Sequence, residues 1–134
     1  MSIYSGADCL RVLLERHPDF APTWNQHLAQ WGADQRGDYT DASCFVDWVA
    51  DAIHRNDQRL LAEAAASLEF LLERADEELE TLIAVGVFEG ITNRCLHDPQ
   101  GIPFRRMASH LGRRSHRICA ALDRGWGTRT DGIS

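Results

Sequence analysis

A chain of 134 residues with 44% hydrophobic and 25% charged residues can bury a single core and has the composition of neither a disordered nor a fibrous protein. The net charge of −6 is unevenly spread: residues 1 to 98 carry 18 acids and 7 arginines, residues 99 to 134 carry 2 acids and 7 arginines, and lysine is absent. An acidic body of this kind repels nucleic acid and anionic membrane and favours a basic partner.

Helical periodicity recurs along the chain, and no stretch alternates with period two for more than a few residues. The first helix is expected from Ser5, as N-cap, to Arg16, with Ala7, Leu10, Leu13 and Leu14 on one face and Pro18 as its stop. A second begins near Pro22, carries Trp24, Leu28 and Trp31, and is expected to end on Gly32 as a C-terminal glycine cap. After the polar loop "GADQRGDYTD", Thr40 or Asp41 can cap a third helix through Arg55. Phe45, Val49, Ala52 and Ile53 form its apolar arc, Trp48 lies at the edge, and Asp47, Asp51 and His54 occupy the other side. Asn56-Asp57 marks a tight turn, and a fourth helix runs to about Arg74 on a stripe of Leu60, Leu61, Ala64, Ala65, Leu68, Leu71 and Leu72.

The fifth helix, "DEELETLIAVGVFEGITNRCL" (76–96), has an apolar arc wider than half its circumference and is expected between two layers of the bundle. Gly86 and Gly90 lie four apart on that arc, each costing about 0.8–1.0 kcal/mol against Ala in a helix interior. Close approach of a neighbouring helix would offset the loss; the alternative is a simple bend. "HDPQGIP" breaks the chain, and helices follow over about Pro103–His110 and Arg114–Arg124. The expected fold is all-α, a single irregular bundle of about seven helices in stacked antiparallel hairpins. A helical domain over 1–124 is followed by a Gly-rich, flexible tail over 125–134 from which Trp126 can dock.

The N-terminal stretch lacks the basic start, apolar run and small-residue cleavage site of a secretory signal, and no run approaches 18 apolar residues, so the expected location is the cytoplasm. Cys9, Cys44, Cys95 and Cys119 contain no C-x-x-C pair and read as reduced, mostly buried thiols. The six histidines form no H-E-x-x-H pattern and no i, i+4 pair, so no metal site is expected, and neither a G-x-S-x-G elbow nor a Walker or dinucleotide loop is present. No cofactor and no catalytic residue is assigned. Glu77 and Glu78 fall in the first turn of a helix, where they complement its dipole. "RRMASHLGRRSHRICAALDR" (105–124) places Ala108, Gly112 and Ile118 at the small, turn and buried positions of a helix-turn-helix, which makes a DNA-binding regulator using Arg113, Arg114 and His116 one alternative reading, a general protein-interaction module being the other.

Three segments, "LLERHPDFAPTWNQHLAQWG", "LETLIAVGVFEGITN" and "HLGRRSHRICAALDRGW", resemble in order and spacing a family of small all-helical bacterial proteins of loosely defined function. Some members of that family resemble immunity proteins of polymorphic toxin systems. The resemblance implies a toxin-neutralising protein without chemistry of its own, acting on a basic, cytoplasm-acting toxin domain through an acidic surface, and it implies that the terminal L-G segment closes the bundle. The partner surface expected from the wheel positions is Phe70, ringed by Glu63 and Glu73, with Asp47 and Asp51 of the third helix adding to one acidic face. Phe70 is there either an exposed anchor or a ring packed beneath another element.

Overall fold

The computed structural model describes residues 3–133, the Ala33 side chain excepted. Three quarters of the chain is helical, and no strand occurs among the described residues, so the domain is all-α. A 3-10 turn at Gly6–Asp8, in which the Asp8 carboxylate accepts from the Ser5 N–H at 2.9 Å, leads into α1 (Cys9–Arg16). Another turn at Pro18–Phe20 leads into α2 (Ala21–Gln30). α3 (Asp38–Arg55) and α4 (Gln58–Leu72) form a hairpin about Asn56, whose left-handed φ of 55° turns the chain. Asp57 caps α4 by accepting from the Leu60 N–H at 3.2 Å.

Two starts and stops differ from the expected ones. α2 does not end on a left-handed glycine: Trp31 leaves in an extended conformation, Gly32 has φ −70°, and Leu28 and Trp31 remain exposed. The buried residue of α2 is His27, stacked on Trp24 and bonded through Nε2 to Asp41 at 2.9 Å. Asp41 therefore serves α2 rather than capping its own helix, and α3 starts three residues earlier behind the extended Gly37.

The long fifth helix is α5 (Glu77–Thr81), a π-helical stretch Leu82–Phe88, and α6 (Glu89–His97), continuous in sequence. Bonding from i to i+5 makes a five-residue step close to one full turn, which is why Ile83 and Phe88 are both fully buried. The stretch packs on α3 on one side and on α8 (Arg113–Trp126) on the other. Both glycines face α3. A Cβ on Gly90 would stand 3.1 Å from Val46 Cγ2, and one on Gly86 3.2 Å from Tyr39 Cδ1, so what approaches them is side chain, not backbone.

Only one turn, α7 (Arg105–Ala108), forms where a longer sixth helix is expected, and α8 runs two residues beyond its expected end to the left-handed Gly127. The segment expected to trail from 125 turns back and is tied to the body at Thr130 and Ile133, while residues 125–129, Trp126 among them, stay exposed. Asp123 holds it by accepting from Thr128 Oγ1 at 2.8 Å, Thr130 Oγ1 at 2.7 Å and the Thr130 N–H at 2.8 Å, and Ile133 is buried. One connected core links α1, α3, α4, the π-helical stretch, α6, α7, α8 and Ile133.

Candidate functional site

The five residues expected to form a partner surface occupy different surroundings. Phe70 is half-buried against the core, with Tyr4 beside it and the guanidinium carbons of Arg74 and Arg16 at 3.9 and 4.3 Å from its ring centroid. Its faces are covered by cations, which the quadrupole of the ring attracts, so it is not an apolar anchor among acids. Each expected acid has its own arginine: Asp47 pairs with Arg94 of α6, Asp51 with Arg55 of α3, Glu63 with Arg59 of α4, and Glu73 with Arg74 and Arg114. The arginines come from separate elements, so the four acids do not make a single unneutralised face.

The arginines of the 105–124 segment are partly spent inside the molecule. Arg106 donates to the Ile53 and His54 carbonyls at the end of α3, and Arg105 meets Asp131. The first turn of α8 is capped by a residue of α4: Glu69 accepts from the N–H groups of Arg114 (3.1 Å) and Ser115 (3.0 Å) and from Ser115 Oγ (3.0 Å). Burial raises the Glu69 pKa, but these bonds, with Arg114 beside it, outweigh burial and hold the carboxyl below its ordinary value. The backbone at the start of α8 is thus held by α4, while the side chains of Arg113, Arg114 and His116 stay exposed. Sequence reasoning missed Glu69, since a single acid on a helix gives no periodic signal.

A second polar cluster runs from the surface into the core. Ser67 Oγ accepts from Arg16 Nε at 2.8 Å and lies 2.7 Å from His17 Nε2, with Ser67 1% and His17 5% exposed. Burial, reinforced by Arg16, lowers the His17 pKa. The pair has the residue types of a base and a nucleophile, and both side chains are buried, with the exposed Arg16 on their outer side. Burial likewise pushes the Cys9 and Cys119 thiols up to about 12 and those of Cys44 and Cys95 to about 11, away from thiolate chemistry. No group of three metal-ligating side chains occurs among the described residues.

Of the open features of the surface, one of which runs past Asp47, Gly86 and Gly90, two bear on binding. The first is a cleft between the starts of α3 and α5, lined by Asp38, Tyr39, Glu77, Glu78, Thr81 and Leu82. Asp38, Glu77 and Glu78, with the exposed Glu80 alongside in sequence, make no ion pair among the described residues. Two of these carboxylates converge on Gly6: a Cβ there would stand 2.6 Å from Glu78 Oε1 and 3.0 Å from Asp38 Oδ2, and Glu78 accepts from the Gly6 N–H. Helix dipoles stabilise acids at both helix starts, which is how like charges persist together. Tyr39 stands beside them half exposed, at 50%. The second feature is a cavity of about 670 Å³ between α6, the 101–104 turn, α8 and the returning tail.

No curated protein and no solved structure matches the chain. A family profile does, over residues 10–127, which takes in every helix from α2 to α8 and all but the first residue of α1. Its description is a domain of unknown function, and the chain belongs to that family, DUF7674.

Proposed function

We propose that the protein works by binding a basic protein partner in the acidic cleft between α3 and α5, and that the partner is a toxin domain which it neutralises by occlusion. The observation that carries the reading is the set of carboxylates at Asp38, Glu77 and Glu78, left without arginine partners around an open cleft in a chain whose other exposed acids are mostly paired. Unneutralised charge accelerates association with an oppositely charged surface, and toxins that cut nucleic acid present basic grooves. Tyr39 supplies an aromatic ring with a polar tip at the edge of those acids, the residue type in which interfaces concentrate energy. The resemblance of the three packing segments to proteins that include immunity-like members makes a toxin the preferred partner. The face around Phe70 is the weaker choice, because its acids are neutralised and its ring is covered.

The test is co-expression with the toxin domain encoded beside the gene. Glu77→Arg/Glu80→Arg and Tyr39→Ala should lose protection while far-ultraviolet circular dichroism shows them folded. Glu63→Arg/Glu73→Arg should protect as the parent does. Full protection by the cleft variants would refute the placement, and the absence of any toxin-like gene from the neighbourhood would remove the toxin reading.

A further inference from the structure

The cavity between α6, α8 and the returning tail has properties that packing alone does not require. Its wall is built from Leu96, Ile102, Phe104, Leu122 and Trp126, with the buried Cys119 behind them. Leu96 and Trp126 line it while remaining 69% and 68% exposed, among the most exposed large apolar side chains of the described residues. Its volume of about 670 Å³ lies in the range of pockets that hold a small molecule, roughly 300–1,000 Å³.

The charges around the mouth decide the kind of ligand. Asp123 is spent on Thr128 and Thr130, and Asp131 on the Arg105 amide and guanidinium. Glu89 and Arg129 line the cavity without ion-pair partners among the described residues, and Asp123 keeps its charge because its donors are neutral, so the carboxylates outweigh the arginine and disfavour an anion, while the apolar wall favours an uncharged guest over a hydrated cation. The indole of Trp126 offers a flat face to an aromatic ring.

We propose that this cavity binds an uncharged, planar aromatic molecule, with Trp126 as its stacking wall and Leu96 on its lip. The tail is part of the site: by folding back through Asp123, residues 128–131 supply one side of the cavity, so ligand and tail stabilise each other.

The experiment titrates the full chain with the uncharged fluorophore N-phenyl-1-naphthylamine and, separately, with its anionic relative 8-anilino-1-naphthalenesulfonate. The expected result is saturable one-to-one binding of the uncharged probe, tighter than that of the sulfonate. Trp126→Ala, a change at an exposed side chain that leaves the fold intact, should weaken it at least tenfold, and Ile102→Trp, which fills the cavity, should abolish it. Leu28→Ala/Trp31→Ala alters the exposed apolar pair on α2 and should leave binding unchanged. Unsaturable binding, equal affinity in Trp126→Ala, tighter binding of the sulfonate, or loss of binding in the α2 variant would each overturn the proposal. None of these outcomes bears on the acidic cleft, which lies on other elements.

Discussion

Removing the Glu69 carboxylate tests whether the C-terminal helix is held from a distance, by α4. Glu69 is 15% exposed and accepts three hydrogen bonds from the first turn of α8. In Glu69→Ala, water can replace the bond to the exposed Arg114, but not those to Ser115, which is fully buried. The Ser115 bonds to a charged acceptor are worth about 1.5–3 kcal/mol, and the charge at the helix start adds about 0.3–1 kcal/mol. Glu69→Ala should therefore cost about 2–4 kcal/mol, roughly 10 °C in Tm for a chain of this length. Glu69→Gln keeps an acceptor and loses the charge, so about 1 kcal/mol is expected. Because the native pKa lies below the ordinary 4.5, this carboxylate stabilises the fold fully above that pH, and the contribution disappears as pH falls through the native value. Urea unfolding followed by circular dichroism, from about pH 7 down to about pH 3, should then show the gap between parent and Glu69→Gln closing below about pH 4.5. Gly112→Ala provides an independent route to the same loss. Its Cβ would clash with Glu69 Cδ and expel the carboxylate, although the φ of −73° suits any residue. A Glu69→Ala variant within about 0.5 kcal/mol of the parent, or a gap that ignores pH, would refute the reasoning.

Gly90→Leu should lower stability by about 1–3 kcal/mol in thermal unfolding, because even a Cβ there would stand only 3.1 Å from Val46. A higher melting temperature would show instead that the glycine is merely a helix defect. The four thiols should resist Ellman's reagent near neutral pH until denaturant is added, given burial that pushes them to about 11 or 12; rapid labelling of any one in the folded protein would contradict that burial.

The helical class, the α3–α4 hairpin and most of the core were legible because they depend on local periodicity. Leu61, Ala64, Ala65, Leu68, Leu71 and Leu72 recur at helical spacing, and all are buried in α4. Gly86 and Gly90 were conspicuous for the same reason, since glycine in an apolar arc breaks local propensity. What depended on partners distant in sequence was not legible. No pattern in α4 reveals that Glu69 reaches residues 114 and 115, that Arg16 covers Phe70, that Asp47 meets Arg94 or that Glu73 meets Arg114, whereas the i,i+4 pairs Asp51–Arg55 and Glu63–Arg59 were local enough to be read. Composition counts charges but does not pair them, so the sequence determined an acidic body, while only the tertiary structure decided that three acids without an arginine partner, Asp38, Glu77 and Glu78, line one cleft. The tail follows the same logic: glycine-rich segments lack the local signal of order, and residues 128–133 are placed by Asp123, Arg105 and a buried Ile133, contacts that exist only once α7 and α8 have packed.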